Sequence, residues 1–355
     1  MKPKKTSLSD IAKQIGVSTA LVSYVMSGKE KEGRVGLDVA QKIRDVANEL
    51  NYQPNLLAKS LRHGQTHTIG LIIADISNPS FANIAREVED ESRRNGYTVI
   101  IGSSDENADK AWDLMNVLVN RQVDGFIIVS AEGSERLVLH LQTIKMPFVL
   151  LDRHFPQFET DFVVTDNAKA SYDACAHLIE QGYRRIGFVA YKSGMFHISE
   201  RIRGYREALI DNHITPEAGW LKAVRFEATE PEIRTAIDEL RAAELPIDAV
   251  IFSTYGLAVS GLKYINELRL RVPDDLGIVS FGQAEVFDLY YCPISYMRQP
   301  IDVLGKKAVD LLMERLQNPG SARQQITIEA RLMPRESSRE KLPHPNPSPK
   351  QGRDF

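Results

Sequence analysis

The sequence has little cysteine and no long apolar run. Its two cysteines, Cys175 and Cys292, lie far apart without the spacing of metal ligands, so neither a disulfide framework nor a zinc site is expected. No stretch approaches the ~18 uninterrupted apolar residues that a membrane-spanning helix requires. The chain begins MKPKKTSLSDIAKQ, which is basic and then polar, unlike a signal peptide. We therefore expect a protein of the reducing cytoplasm that does not partner with a membrane.

The sequence also lacks the motifs of the common nucleotide-dependent and hydrolytic enzymes. It contains no G-x-G-x-x-G after the first predicted strand, no G-x-x-x-x-G-K-[ST], no G-x-S-x-G and no H-E-x-x-H, and its eight histidines do not cluster. These absences argue against an enzyme. We expect no catalytic residue, no cofactor and no metal.

Length and charge divide the chain. With 355 residues, of which 43% are hydrophobic and 26% charged, the sequence predicts two or three compact units. Residues 1–65 carry eleven Lys and Arg against six acids, a net charge of +5, which leaves −8 for the remainder. A small basic segment on an acidic body suits a nucleic-acid partner, although a basic tail is often only a solvated surface.

The basic segment has the pattern of a helix-turn-helix. Ser7 and Asp10 form a capping box before a first helix, Gly16 supplies a turn, and Ser18 caps a second helix, TALVSYVMS. A third amphipathic helix follows in DVAQKIRDVANELNY. By periodicity alone these helices could form a purely structural bundle.

The order of the residues resembles a known family. SLSDIAKQIGVSTALVSYVMSGK is similar, nearly position for position, to the DNA-binding headpiece of the lactose-repressor (LacI/GalR) family. NYQPNLLAKSLRHGQT at 51–66 resembles the family's hinge helix, which folds on DNA beside the partner subunit's copy. Without the headpiece this segment would predict only an interdomain linker.

The resemblance implies a role for each matched position. The implied base contacts in the major groove are Thr19, Ala20 and Tyr24, the implied phosphate contacts are Ser18, Tyr52 and Asn55, and the implied minor-groove wedge is Leu61 with Ala58 beside it. The sequence departs from the family at Tyr24, where arginine is usual, and so leaves the base preference there open. The following loop, GKEKEGRVG, is also more charged than is typical, and Gly36 replaces a serine cap.

From residue 68 onward, strand-length apolar runs alternate with amphipathic helices. Two such series predict two α/β lobes with parallel sheets flanked by helices. Segments such as IADISNPSFANI, RIRGYREAL and RQPIDVLGKKAVDLL resemble the periplasmic-binding-protein-like core of the same family, and the full resemblance covers more than nine-tenths of the chain. Ligands in such folds bind at the carboxyl ends of the strands.

Candidate effector-binding residues lie at those strand ends or at matched family positions. Strand ends supply Asp75, Asn78, Phe81, Asp152, Arg153 and Asp166, and the resemblance adds Arg201 and Phe226. Carboxylates and arginine beside an aromatic ring suit a polyhydroxylated ligand. Gly282 and Tyr255 stand where the family often has acids, with Gln283 the nearest polar group, so a purine or other anionic effector stays open. Each residue could instead cap a helix or form a structural ion pair.

We therefore predict an all-α helix-turn-helix headpiece followed by a two-lobe α/β core. The predicted divisions are a headpiece at 1–53, a hinge helix and linker at 54–66, a core at 67–335 and a disordered tail at 336–355; lobe 1 takes 67–167 and 299–325, and lobe 2 takes 168–298 and 326–335. Apolar residues in SFANIAREV and AWDLMNVLV could pair two subunits. The expected function is an effector-controlled transcriptional repressor of carbohydrate-utilisation genes, a homodimer on pseudo-palindromic operator DNA. The rival, an exported solute-binding protein, does not explain the headpiece.

Overall fold

The computed structural model describes residues 6–52 and 65–341, and the chain falls into two compact units, residues 1–66 and 67–355. The described part of the first unit is helical: α1 (Leu8–Ile15), α2 (Thr19–Met26) and α3 (Leu37–Glu49). The capping box predicted at the start of α1 is present, with Ser7 accepting from the Asp10 N–H and Asp10 accepting from the Ser7 N–H. Gly16 ends α1 at φ 76°, a left-handed conformation that suits glycine.

These helices share one small core. Ile11 of α1, Val22 and Val25 of α2, and Ile43 and Ala47 of α3 are at most 3% exposed. They recur at helical spacing, so each helix turns one apolar face inward. The outward face of α2 carries Thr19, Ala20 and Tyr24.

The second unit contains two sheets, one parallel throughout and one parallel except for a single edge strand. The first has the strand order β11-β5-β4-β3-β1-β2 and is parallel throughout. Its elements in chain order are β1 (Thr68–Ile73), α4 (Pro79–Arg94), β2 (Thr98–Ser103), α5 (Ala108–Asn120), β3 (Gly125–Ile128), α6 (Glu135–Thr143), β4 (Phe148–Leu151) and β5 (Phe162–Thr165). The central strands β3, β4 and β5 are buried along their whole length, as expected of a sheet covered on both faces.

The second sheet has the order β12-β10-β9-β8-β6-β7, with only β12 antiparallel. Its elements begin with α7 (Asn167–Glu180), β6 (Ile186–Tyr191), α8 (Phe196–Asp211), β7 (Leu221–Val224) and α9 (Thr229–Ala242), and continue with β8 (Ala249–Phe252), α10 (Tyr255–Glu267), β9 (Gly277–Phe281), α11 (Val286–Leu289) and β10 (Ser295–Arg298). The last elements of the chain are α12 (Ile301–Gln317), β11 (Gln325–Ile328) and β12 (Arg331–Met333). Short 3-10 turns lie at Ala218–Trp220, Phe226–Ala228 and Glu336–Ser338.

The two-lobe α/β fold is therefore confirmed, with two corrections at its end. The predicted final crossing to lobe 2 at residue 326 is wrong, because Gln325–Ile328 pairs with Phe162–Thr165 in the first sheet, so the chain crosses only after Ile328. The predicted start of a disordered tail at 336 is also too early. Ser337 and Ser338 are almost fully buried, and the Ser337 hydroxyl donates to the Ile278 carbonyl at 2.7 Å. The remaining tail residues, 342–355, lie outside the described residues.

Within the described ranges, no helix is both long and apolar enough to cross a membrane.

Candidate functional site

The exposed face of α2 presents the predicted base-contacting residues. Thr19, Ala20 and Tyr24 are exposed, whereas Val22 and Val25 of the same helix are buried. Positions 20 and 24 are four residues apart and therefore share one helical face. Ser18 caps the helix, with its hydroxyl accepting from the Leu21 N–H at 3.2 Å. The helix start is thus fixed by a residue also predicted to contact phosphate.

Tyr52 has a structural role in the headpiece. It packs partly buried against the small helical core, and its backbone N–H donates to the Ala47 carbonyl at 2.8 Å. Burial raises the pKa of its phenol. The other hinge predictions, Asn55, Ala58 and Leu61, lie outside the described residues.

A cavity of about 500 Å³ lies between the two lobes of the core, where the carboxyl ends of several strands meet. Lobe 1 contributes five of the predicted effector residues to its wall: Asp75, Asn78, Phe81, Asp152 and Arg153. Lobe 2 contributes another three: Arg201, Phe226 and Tyr255. Strand ends distant in sequence are thus brought to one site, as the doubly wound topology requires.

Two predicted effector residues, Asp166 and Gln283, do not line the cavity. The Asp166 carboxylate caps α7 by accepting from the Lys169 N–H at 2.9 Å. Gln283 is exposed to solvent, and Gly282, at φ 82°, lines the cavity instead. Both assignments are corrected, because Asp166 begins the next helix and Gln283 turns away from the cleft.

Some of the polar side chains that line the cavity already accept hydrogen bonds within local turns. Asp75 accepts from the Ser77 N–H at 2.8 Å, and Asn78 caps α4 by accepting from the Ser80 N–H at 3.0 Å. These two side chains shape the lobe 1 wall, and their oxygens are partly engaged before any ligand arrives.

Arg153 is held in a buried bidentate ion pair. Its two terminal nitrogens donate to the two Glu106 oxygens at 2.7 Å each, and Nη1 also donates to the Ser130 carbonyl at 3.0 Å. Burial lowers the pKa of Arg153, but hydrogen bonds and charge from Glu106 outweigh it, and the net shift is upward. The Arg153 guanidinium is therefore held in its charged form by the carboxylate that it contacts.

Arg201 lies on the opposite side of the cavity without such a partner. Nε donates to Asn167 Oδ1 at 2.7 Å and Nη1 donates to the Ser253 carbonyl at 2.5 Å. Among the described residues no carboxylate lies within ion-pair distance of it, and burial lowers its pKa to about 10. Arg201 is thus a cation at neutral pH whose charge is balanced only at longer range.

The close crossing of two helices brings Arg201 to Asn167. A Cβ built on Gly204 would lie 1.9 Å from the Ala168 carbonyl oxygen, so only glycine lets α8 pass this close to the start of α7. Replacing Gly204 by a larger residue would separate the helices and withdraw the Arg201 guanidinium.

Asp152 faces Arg201 from lobe 1. It is 8% exposed, takes a left-handed backbone conformation at φ 66°, and accepts from Gln299 Nε2 at 3.1 Å. Its charge raises the pKa of Arg201 in opposition to burial. A carboxylate from one lobe and a guanidinium from the other therefore border the same space.

His197 lines the cavity and was missed by the sequence prediction. Burial, followed by the charges of Arg153 and Arg201, lowers its pKa well below the ordinary value, so the ring is neutral at pH 7. Its Nδ1 is buried and has no hydrogen-bond partner among the described residues. The sequence feature that could have identified His197 is its position one helical turn before Arg201, on the same helical face.

Contacts beside the cavity join the two lobes. Glu132 of lobe 1 accepts from the Gly194 N–H of lobe 2 at 2.7 Å. The His154 ring meets the Phe196 ring edge-on, with centroids 5.0 Å apart. The first residue of α8 and the segment just before it thus rest directly on lobe 1.

Within the described ranges, no group of three or more His, Cys, Asp or Glu residues is placed to hold a metal ion.

Each unit contains a segment that matches a family model. Residues 7–55 match "Bacterial regulatory proteins, lacI family", and residues 175–338 match "Periplasmic binding protein-like domain". The ribose operon repressor of Haemophilus influenzae is 29% identical over 331 residues, covering 93% of this chain and 98% of the relative. The HTH-type transcriptional repressor PurR of Aliivibrio fischeri (strain ATCC 700601 / ES114) is 27% identical over 340 residues, covering 95% and 99%.

Solved structures share the fold. The lac repressor dimer bound to operator and the anti-inducer ONPF superposes with a TM-score of 0.82 at 20% identity, covering 95% of this chain and 100% of that chain. A LacI family transcriptional regulator from Enterococcus faecium with bound ribose gives a TM-score of 0.68 at 26% identity, covering 78% and 100%.

A helix-turn-helix headpiece in one chain with a two-lobe α/β core that encloses a cavity defines a DNA-binding transcriptional regulator. This chain combines a lacI-family DNA-binding domain with a periplasmic-binding-protein-like domain, and relatives named as repressors align over nearly its whole length.

Proposed function

We propose that this regulator is a repressor whose affinity for operator DNA is set by a sugar or sugar derivative bound in the interlobe cavity. The observation that carries the proposal is the placement of Asp152 from lobe 1 and Arg201 from lobe 2 on the wall of one cavity. A carboxylate accepts from hydroxyl groups and a guanidinium donates to them, so one polyhydroxylated ring can satisfy both.

The size and lining of the cavity support the same ligand class. About 500 Å³ lies within the range of small-molecule sites, roughly 300–1,000 Å³. Phe81 and Phe226 supply aromatic surface for the apolar face of a ring. Relatives named ribose operon repressor, and the related structure with bound ribose, favour a carbohydrate effector here.

The second candidate effector is a purine or another anionic metabolite. It is favoured by the neutral His197 ring with its free Nδ1, which lies near the charges of Arg153 and Arg201. A neutral imidazole can pair with a polar heterocycle edge, and Arg201 can bind an anionic group. Several relatives carry the name PurR.

On the DNA side we propose a homodimer on a pseudo-palindromic operator. Thr19, Ala20 and Tyr24 would contact base edges, Ser18, Tyr52 and Asn55 would contact phosphates, and Leu61 beside Ala58 would enter the minor groove from the hinge at 54–66. Effector binding can change the affinity for DNA only by as much as the effector's own affinity differs between the two arrangements of the lobes. An effector that lowers the affinity for DNA acts as an inducer, and one that raises it acts as a corepressor.

The test combines direct binding with a DNA titration. The full-length protein first selects its operator from random duplexes; calorimetry then measures ribose, glucose, hypoxanthine and a sugar phosphate, and gel shifts on the selected duplex give the sign of each effect. We expect a neutral sugar to bind, and Asp152→Asn to weaken it roughly 10- to 150-fold through a lost charged hydrogen bond.

Asp310→Asn is the matched control, because Asp310 is exposed on α12 outside the cavity. Binding of hypoxanthine or of the sugar phosphate alone would replace the sugar proposal by the second candidate. If none of the four compounds changes DNA affinity although the operator is bound, the effector proposal fails.

A further inference from the structure

The segment that leads into α8 belongs to lobe 2 but reaches into the core of lobe 1. Met195 is 5% exposed, and it is part of a hydrophobic cluster whose other buried members all come from residues 72–164, in lobe 1. Three residues later, Ile198 is 2% exposed in the core of lobe 2. A single turn of the chain is thus anchored in both cores.

The residue that caps α8 is unusual for its position. Helix N-caps are usually Ser, Thr, Asp or Asn, because their side-chain oxygens accept from a free N–H of the first turn. Met195 occupies this position and makes no side-chain cap hydrogen bond, while the Ser193 hydroxyl accepts from the Met195 N–H at 3.1 Å. The apolar cap lowers the stability of α8, and burial of the Met195 side chain in lobe 1 offsets that loss.

The residues on either side of Met195 also contact lobe 1. The Gly194 N–H donates to Glu132 Oε1 at 2.7 Å. The Phe196 ring meets the His154 ring edge-on, with centroids 5.0 Å apart, and His154 in turn stacks on Phe162 with centroids 4.2 Å apart. Three consecutive residues therefore contact lobe 1 by a hydrogen bond, by apolar burial and by a ring contact.

This segment adjoins the effector cavity. Glu132, Ser193 and Met195 lie on the cavity wall, and the following turns of α8 carry the cavity residues His197 and Arg201. Because His197 and Arg201 follow Met195 within two turns of one helix, the contact of this segment with lobe 1 fixes how far both side chains lie from the lobe 1 wall.

We propose that residues 193–196 form an interlobe latch, which sets how readily the two lobes come together around the effector. The proposal rests on the proposed function, because it assigns a regulatory role beside the effector cavity. A ligand that contacts both lobes favours the arrangement in which the latch is engaged, since that arrangement brings both walls together. Latch and effector therefore stabilise the same arrangement, and weakening the latch opposes the effector.

The first test needs no effector. Hydrogen exchange of the full-length protein, followed by mass spectrometry, measures how often the Gly194 N–H leaves Glu132. Met195→Ala removes most of the apolar surface that the engaged latch buries. We therefore expect exchange of the Gly194 N–H to become roughly 10- to 100-fold faster.

Met146→Ala is the matched control, because Met146 packs against the same hydrophobic cluster but comes from lobe 1 itself. It should leave exchange of the Gly194 N–H near the wild-type rate. Exchange in β3, at Gly125–Ile128, shows whether lobe 1 stays folded in each variant. An unchanged Gly194 exchange rate in Met195→Ala, with β3 still protected, would overturn the proposal.

Phe196→Ala tests the latch from its exposed side and keeps the proposal testable if Met195→Ala does not fold. Phe196 is 37% exposed and lies outside the cavity wall, so its loss leaves both cores and the effector contacts in place. Losing the ring contact with His154 should speed exchange of the Gly194 N–H by roughly 2- to 12-fold. In calorimetry, binding of ribose or glucose should weaken in the same variant. An unchanged exchange rate would contradict the latch.

The second test uses operator DNA. In gel shifts without effector, Met195→Ala should change operator affinity in the direction opposite to the change that ribose or glucose causes in the wild-type protein. A change in the same direction, or none, would overturn the proposal. If neither sugar alters the DNA affinity of the wild-type protein, the proposed sugar effector fails, whereas the Gly194 exchange rates still decide whether the latch holds the lobes together.

Discussion

Replacing Glu106 by glutamine removes the anionic half of the buried ion pair at the carboxyl edge of the first sheet. The wild-type pair has two hydrogen bonds of 2.7 Å, and its side chains are only 11% exposed for Arg153 and 19% for Glu106. Removing one partner of a buried pair typically destabilises a protein by about 3–5 kcal/mol, because the remaining charge stays buried. Glutamine keeps one acceptor oxygen for Arg153, which places the expected loss near about 3 kcal/mol.

The assay is thermal unfolding of the full-length protein. For a unit of this size, about 3 kcal/mol corresponds to a fall in Tm of roughly 6–12 °C. The matched control is Asp105→Asn, one residue away, because Asp105 pairs with Lys110 on the exposed surface and such pairs contribute little. The double variant Glu106→Leu/Arg153→Met should recover much of the loss, since it leaves no unpaired charge.

A fall in Tm no larger for Glu106→Gln than for Asp105→Asn would refute this reasoning. It would mean that Arg153 reaches water or Asp152 in the variant and that the pair does not hold the cavity wall. Asp152 Oδ2 already lies 3.9 Å from Arg153 Nε, so this competing partner is within reach.

Three further predictions concern the hinge, the protonation of the cavity and the core. Leu61→Ala should weaken operator binding in gel shifts while leaving effector affinity in calorimetry unchanged; equal DNA affinity would exclude the wedge role. The pKa of His197 is lowered in the folded state, so the unfolded chain binds the extra proton. The free energy of unfolding should therefore decrease below about pH 6.5, by up to ~1.4 kcal/mol per pH unit. In urea titrations at pH 7.5 and about pH 5.5, His197→Gln should remove this contribution to the pH dependence of stability. Asp161→Asn should lower the urea midpoint clearly, because this fully buried carboxylate binds both Arg315 and Arg323; an unchanged midpoint would show that the two arginines find other partners.

The headpiece could be predicted closely because its determinants are local. The Ser7 capping box, the Gly16 turn and the Ser18 cap each depend on residues within three or four positions of one another. The final crossing could not be predicted in the same way. Gln325–Ile328 is a short strand at the sheet edge whose residues are all at least partly exposed, so its assignment to lobe 1 depends on pairing with residues more than 150 positions earlier.

The cavity shows the same division between local and distant information. Strand ends such as Asp152 were found because parallel topology places them together. Glu106 was missed because its role comes from Arg153, 47 residues later, across two intervening strands. Asp166 was misplaced because an acid after a strand can equally cap the next helix, and the sequence carries no signal that separates these roles.

The position of Gln299 suggests how cavity occupancy reaches the connections between lobes. Gln299 lies on the second crossing, between β10 of lobe 2 and α12 of lobe 1, and its Nε2 donates to Asp152 at 3.1 Å and to Thr165 Oγ1 at 3.2 Å. Thr165 is the last residue of β5, immediately before the first crossing. An effector that hydrogen-bonds Asp152 competes with Gln299 for the same carboxylate and so alters a contact that ties two crossings together. Because a ligand shifts a conformational equilibrium only by its differential affinity for the two states, this competition is a specific place where such a difference can arise.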